Sequence, residues 1–234
     1  MSVAIMQPYM FPYIGYFQLV DASDSFVFYD DVNFIKRGWI NRNSILVNGS
    51  RYLFTIPCSK PNYEVPINKV LVDYNTFSSD KLLKTIKHGY SRAEYFEPVY
   101  ALLKGFFSID YQSIGEMASQ SIVAINNYLE IEKNYYYSAR DFPQISPVQR
   151  AERLIEITKA LNQNHYVNAI GGKELYCSDY FCERGIRLSF IEPELKEYTQ
   201  LSANFDAGLS IIDCLMNCSK EVVLRHIKSH SYKN

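Results

Sequence analysis

Three cations lie close together in the stretch IKRGWINRN: Lys36, Arg37 and Arg42, interleaved with Gly38, Trp39, Asn41 and Asn43. An arginine fork matches two phosphate oxygens at once, a lysine adds a point charge, and an asparagine reads a base edge or a sugar hydroxyl. Between Val32 and Tyr63 these three join Arg51 and Lys60 without one carboxylate, although acids make up 25 of the 234 residues. By composition a stretch of that length should hold about three acids. Diphosphate binding is one reading of this loop, and a solvated basic hairpin loop is the other. Trp39, the single tryptophan of the chain, tilts the balance towards a ligand.

Acid–base chemistry has few candidates. Asp30 and Asp31 close an apolar run, SFVFY, where side chains project towards a cleft. Adjacent residues on an extended chain point opposite ways, so at most one faces a ligand. That carboxylate, taken as Asp31, serves as a base towards an amine or holds a magnesium ion beside a pyrophosphate, or else makes a helix cap or a loop ion pair with Lys36 or Arg37. His88, followed by Gly89, Tyr90 and Arg92, is the other candidate base; His226 and His230 read as structural or exposed. In NAIGGKE, residues 168–174, Gly171 and Gly172 can take positive φ and present consecutive amides to an anion, with Asn168 and Glu174 beside them. A plain strand-to-helix turn explains the same glycines. Ser210 and Asp213 are three apart and share a helix face with Met216 and Asn217. Cys58, Cys177, Cys182, Cys214 and Cys218 form no C-x-x-C pair and read as free buried thiols, with no metal site.

The elements that must position these groups begin with the first twenty residues, which carry no charge. Val3–Met6 reads as a buried strand that passes through Gln7-Pro8 into a helix over Tyr13–Ala22, and Ser25–Tyr29 as the second strand of a β-α-β unit. Ligands of open α/β sheets sit where such strands end, which places Gln7, Tyr9, Tyr13, Gly15 and Tyr16 in the site. Asn48-Gly49 between Ser44–Val47 and Arg51–Ile56 predicts a hairpin. Further strands are expected at Ile67–Val72, Tyr135–Tyr137, His165–Val167 and Leu188–Ile191. Helices are expected at Ser79–Tyr90, Ala93–Phe107, Ile114–Leu129, Pro147–Asn162, Lys173–Arg184, Leu209–Asn217 and Lys220–Lys228. Ser78, Ser146 and Ser219 are expected helix starts, and Gly185 a helix stop. The fold class is α/β: a Rossmann-like sheet opening with a β-α-β unit and a hairpin, plus a helical subdomain. Residues 1–77 with 163–217 form the nucleotide-sugar-binding core and 78–162 the helical part of one integrated protein.

A net charge of −1 argues against nucleic acid as the main partner. Pro8, Pro12, Gln7 and Gln18 interrupt the opening apolar run, so no membrane span is expected. It also lacks a basic start and a small-residue cleavage site, so a cytoplasmic location is expected.

The segments IMQPYMFPYIGYFQL, FVFYDDVNFIKRGWINRN, NAIGGKELY and LSIIDCLMN resemble the WbqC-like family, found among bacterial O-antigen and polysaccharide gene sets; the resemblance runs from Val3 to about Asn217. It implies work on a nucleotide-linked sugar, with acyl or aminoacyl transfer to an amino-sugar nitrogen the expected reaction. The acyl donor is unknown, an acyl-coenzyme A or an aminoacyl donor being compatible. Tyr13-Ile14-Gly15-Tyr16 is also similar to the HIGH-type helix opening of nucleotidyltransferases, which would use ATP. Both histidine positions are tyrosine here, so phosphate contacts would fall to Lys36, Arg37 and Arg42, with Gly15 allowing close ligand approach. A non-catalytic sugar-nucleotide-binding assembly protein is the third reading, and homo-oligomerisation is left open.

Overall fold

A computed structural model describes residues 1–59, 64–148 and 150–233; Lys60 and Tyr63 of the basic stretch and Gln149 of an expected helix lie outside them. The uncharged opening forms β1 (Ser2–Met6), which leads through a loop into α1 (Ile14–Asp21) and then β2 (Ser25–Phe28), parallel to β1. Val3, Ala4, Phe26 and Val27 are fully buried, as a strand covered on both faces requires.

The hairpin follows as β3 (Arg42–Val47) and β4 (Ser50–Thr55), a separate two-stranded sheet. Asn48 and Gly49 have φ of 52° and 71°, the two left-handed residues that a tight hairpin turn demands. Ile67–Val72, expected as a strand, is instead a 3-10 turn at Ile67–Lys69 followed by two isolated bridges. Pro66 starts the turn, accepting from the Lys69 N–H, while the amides of Ile67 and Asn68 go to Val32 and Asp30 rather than to a strand partner.

Three amphipathic helices come next: α2 (Ser79–Tyr90), α3 (Phe96–Phe107) and α4 (Ile114–Tyr128). Ser78 caps α2 as expected, accepting from the Lys81 amide at 3.2 Å. Gly89 lets α2 lie directly on the hairpin, because a Cβ there would stand 2.3 Å from the Leu46 carbonyl oxygen.

The chain then returns to the sheet as β5 (Asn134–Tyr137), followed by a single turn, α5 (Ser138–Asp141). Helix α6 (Arg150–Ala160) starts later than the expected Pro147, and Ser146 instead closes a 3-10 turn over Pro143–Ile145. Next come β6 (His165–Ala169), α7 (Ser178–Cys182) and β7 (Arg187–Pro193). The helix expected over Lys173–Arg184 shrinks to α7 because Tyr176 turns inward, its ring 6.5 Å from Tyr166 and 6.0 Å from Phe181. Gly185 sits at φ 77° just beyond α7. Helices α8 (Ile211–Asn217) and α9 (Lys220–Ile227) and an unexpected strand β8 (His230–Lys233) complete the chain.

The sheet order is β5-β2-β1-β6-β7-β8, parallel except for β8. Taken in chain order, the parallel strands run third, second, first, fourth, fifth. Between β1 and β6 the winding reverses direction, which makes the loops after these two strands the place where an open α/β sheet opens a crevice. One face of the sheet packs against α1–α4, α8, α9 and the hairpin, and the other against α6 and α7.

Candidate functional site

The loop after β1 is held in a conformation that its residues would not adopt alone. Phe11, with no exposed surface, has a φ of 39°, a left-handed conformation that costs a bulky residue about 1–3 kcal/mol. Its neighbours pin it from several sides. The Phe11 N–H donates to Ser121 Oγ at 2.9 Å, and the Phe11 carbonyl accepts from Asn43 Nδ2 and from Ser210 Oγ, both at 2.7 Å. Asn43 Nδ2 also reaches the Met10 carbonyl at 3.0 Å, the Met10 N–H donates to the Trp39 carbonyl, and the Ile211 N–H donates to the Pro12 carbonyl. Helices α4 and α8 and the hairpin thus set the loop's shape jointly.

What the loop presents is Tyr9, Pro12 and Tyr13, which with Trp39, Asn43, Arg51 and Gly208 line a cavity of about 360 Å³. Burial raises the Tyr9 and Tyr13 hydroxyls above their ordinary pKa, and for Tyr9 the nearby Tyr13 adds to the shift. Neither hydroxyl makes a hydrogen bond among the described residues. Trp39 is 42% exposed at the cavity's edge. The cation of this cavity is Arg51 on β4, whose Nε donates to Asp206 at 2.8 Å and whose other arm bonds the same carboxylate. That pairing holds the Asp206 carboxyl below its usual value. Flat aromatic faces, free hydroxyls and one guanidinium suit a sugar or a base joined to an anionic group.

The basic loop is built differently from the expectation. Arg42 is spent on its own loop: Nε donates to the Gly38 carbonyl at 2.9 Å and Nη2 to the Arg37 carbonyl, with the guanidinium 5.8 Å from the Trp39 ring. It braces Trp39. Arg37, at φ 60°, and Lys36 are exposed and do not line the cavity. Asn41 ties the hairpin by donating to the Ile56 carbonyl at 2.8 Å.

The family profile of the WbqC-like proteins matches residues 7–224. The chain belongs to the WbqC-like family. It is 26% identical over 227 residues to an uncharacterized protein of Mycobacterium tuberculosis, covering 94% of this chain and 95% of that one. No solved structure matches it at a significant level.

Within this WbqC-like chain the other expected site residues scatter. Tyr16 is buried, its hydroxyl donating to the Gln7 carbonyl at 2.8 Å, so it supports the loop from below. Gly15 makes room for a neighbouring side chain rather than for a ligand, since a Cβ there would stand 2.4 Å from the Tyr13 ring. Asp31 pairs with Arg153 of α6 instead of Lys36 or Arg37, both side chains being nearly buried (9% and 7% exposed). Asp30 shares the Ser138 hydroxyl with Asp31 and also accepts from the Ala139 N–H, and burial, chiefly, raises its carboxyl. His88 is exposed on α2 and lines neither this cavity nor the polar one beside Asp30.

After β6, Gly171 and Gly172 belong to a 3-10 turn over Ile170–Gly172 and neither takes positive φ, so the plain turn and not the anion cradle describes them. Gly172 is needed for packing, because a Cβ would meet the Asn168 amide at 2.3 Å, while Asn168 itself accepts from the Ala169 N–H and Glu174 is exposed. Ser210 caps α8, and Asp213 is fully buried. The five cysteines are free; Cys214 and Cys218 are buried, but Cys177 and Cys182 are exposed. No group of His, Cys, Asp and Glu able to hold a metal ion occurs among the described residues, nor any helix long and apolar enough to cross a membrane.

Sequence reasoning passed over Arg51, which it counted as a charge but did not place, and Gly208, 199 positions from Tyr9 in the same cavity. The one signal for Arg51 was its place in the acid-free stretch.

Proposed function

We propose that this chain binds a nucleotide-linked amino sugar at the aromatic cavity and transfers an acyl or aminoacyl group to its amine, as a cytoplasmic step in making a surface polysaccharide such as O-antigen. The observation that carries the reading is the strained loop at Phe11, held by three distant elements so that Tyr9 and Tyr13 face Trp39 and Arg51 across one cavity. Strain maintained by so many contacts is a mark of a site. In this reading Trp39 and the tyrosines stack on the sugar or base, and Arg51 turns from Asp206 to the diphosphate. Lys36 and Arg37, on the loop that carries Trp39, add positive potential at the approach.

The transfer is direct. The amine nitrogen attacks the acyl carbon; the C–N bond forms as the bond from that carbon to the donor's leaving group breaks, and the proton lost by the nitrogen passes, directly or through water, to the departing group. The chain contributes orientation and exclusion of water, which alone accelerate such a step greatly. Asp31, neutralised by Arg153, and His88, on the outer surface, are not assigned the proton.

Calorimetry with UDP-, dTDP- and GDP-linked amino sugars tests the binding, and mass spectrometry of the sugar after incubation with acyl-coenzyme A or an aminoacyl donor tests the transfer. Trp39→Ala and Arg51→Ala should each weaken binding by about tenfold or more; unchanged affinity in both would remove the cavity assignment. Tight binding without turnover would make the chain a sugar-nucleotide-binding assembly protein.

A second reading, nucleotidyl transfer or ATP-dependent ligation, draws on the strand order and on Tyr13-Ile14-Gly15-Tyr16 at the start of α1. The buried, already bonded Tyr16 hydroxyl counts against it. Release of pyrophosphate from ATP in the presence of a sugar phosphate would decide for it.

A further inference from the structure

A second cavity, of about 440 Å³, opens where the residues following β2 and β5 meet α4 and the 3-10 turn at Ile67–Lys69. Asp30, Asn68, Glu116, Gln120, Tyr137 and Arg140 contribute its polar lining, and it shares no lining residue with the aromatic cavity.

Asp30 is 7% exposed. Its Oδ1 accepts from the Ala139 N–H at 3.0 Å and from Ser138 Oγ at 3.3 Å, while Oδ2 receives no hydrogen bond from another described residue. Asn68 is fixed beside it, its N–H donating to the Asp30 carbonyl at 2.8 Å and its Cα 3.2 Å from where a Cβ on Gly115 would stand. The side-chain oxygen of Asn68 is buried and has no donor among the described residues, an unfilled acceptor that a protein interior rarely tolerates.

The charge of the cavity is set by what its one arginine already does. Arg140 gives Nε and Nη2 to Asp141, each at 2.9 Å, and lies over the Tyr137 ring at 4.6 Å. Glu116, exposed, lends one oxygen to the Gln112 N–H at 2.9 Å and keeps the other free. Asp30 and Glu116 therefore outnumber the one guanidinium, which is paired with Asp141 though within electrostatic reach of Asp30, and this excess of negative charge repels a phosphate and attracts an ammonium. Gln120, donating to the Tyr137 hydroxyl at 3.0 Å, and Tyr137 itself both give and accept hydrogen bonds, as a ligand hydroxyl does. Burial, then the neighbouring Asp31, raises the Asp30 carboxyl; an ammonium would draw it back down.

We propose that this cavity binds a hydroxylated primary amine, with Asp30 and Glu116 on the ammonium and Gln120 and Tyr137 on adjoining hydroxyls. The assignment goes beyond the nucleotide-sugar reading: it concerns a separate cavity and stands without that reading.

The test is titration of the full chain with D-glucosamine, against D-glucose as the counterpart without an ammonium, followed by NMR chemical shifts. Glucosamine should bind about tenfold more tightly than glucose, and Asp30→Asn should abolish that preference. Glu116→Gln, at an exposed position where the amide oxygen still serves the Gln112 N–H, should reduce it even if the Asp30 variant folds poorly. Equal affinity for the two sugars, no binding of glucosamine, or loss in Trp39→Ala with Asp30→Asn and Glu116→Gln unaffected would each overturn the proposal. Failure of the nucleotide-sugar reading shows instead in the Trp39 and Arg51 calorimetry, so the two outcomes separate.

Discussion

The side-chain amide of Asn43, at the second position of β3, donates to the carbonyl oxygen of Phe11 at 2.7 Å, and so ties the hairpin to the one buried phenylalanine with a left-handed backbone. Its own Oδ1 accepts from the Ser44 N–H at 2.8 Å. Asn43→Leu would leave the Met10 carbonyl without this donor and the Phe11 carbonyl with Ser210 alone. The expected loss is about 1–3 kcal/mol, read as a lower urea midpoint at unchanged slope. Nucleotide-sugar affinity should fall with it, since Tyr9 and Tyr13 lose their support. An unshifted midpoint would mean that the loop keeps its shape without the clamp.

Asp31 and Arg153 form a nearly buried ion pair, with Ser138 also donating to Asp31 and the Arg153 guanidinium 4.8 Å from the Tyr29 ring. Arg153 Nε is buried without a partner. Removing one member leaves the other charge stranded, so Arg153→Met should cost about 3–5 kcal/mol, whereas the double variant with Asp31→Asn should recover part of that loss. Denaturant unfolding of the two variants measures the difference. If the single change were harmless, Asp31 would be free to act on a substrate.

Asp213 has no exposed surface and accepts from the Tyr90, Tyr198 and Gln200 side chains, each at 2.8 Å, with no cation among these donors. Burial raises its carboxyl above the ordinary 3.8 despite the three bonds. A raised carboxyl favours the fold in acid, and that contribution disappears as pH rises through the folded value. The stability difference between wild type and Asp213→Asn should therefore shift against the wild type as pH increases from about 4 towards neutrality. A difference that grows in favour of the wild type over that range would show that the hydrogen bonds outweigh desolvation.

Elements with strong local determinants were readable from residues alone. Asn48-Gly49 made the hairpin, Ser78 and Ser219 capped α2 and α9, and the uncharged opening became β1 and α1 at the centre of the sheet. Failures occurred where a local pattern met a distant partner. Ile67–Val72 has the apolar content of a strand, but its first amides are claimed by Val32 and Asp30. The helix expected over Lys173–Arg184 gave way to the inward packing of Tyr176, and β8, of sequence HSYK, has no apolar run to announce it.

The candidate site divides along the same line. Tyr9, Tyr13 and Trp39 were legible as ligand-facing aromatics, and they do meet in one cavity with Arg51. Arg42 was legible as a cation, but nothing local showed that the Gly38 and Arg37 carbonyls would take up its donors. Asp30 and Asp31 were expected to diverge by strand alternation, yet both reach the Ser138 hydroxyl, because β2 ends at Phe28, before either of them. Which of them would be neutralised depended on Arg153, 122 positions away.

By itself, the sequence determined the family, through the resemblance of its motifs, and the α/β class, the hairpin and the opening β-α-β unit, which follow from short-range hydrogen bonding and the periodicity of apolar residues. Tertiary structure decided which charged groups remain free to meet a ligand. A guanidinium or carboxylate is used up by whatever partner the fold brings within hydrogen-bonding distance, and that partner comes from elsewhere in the chain.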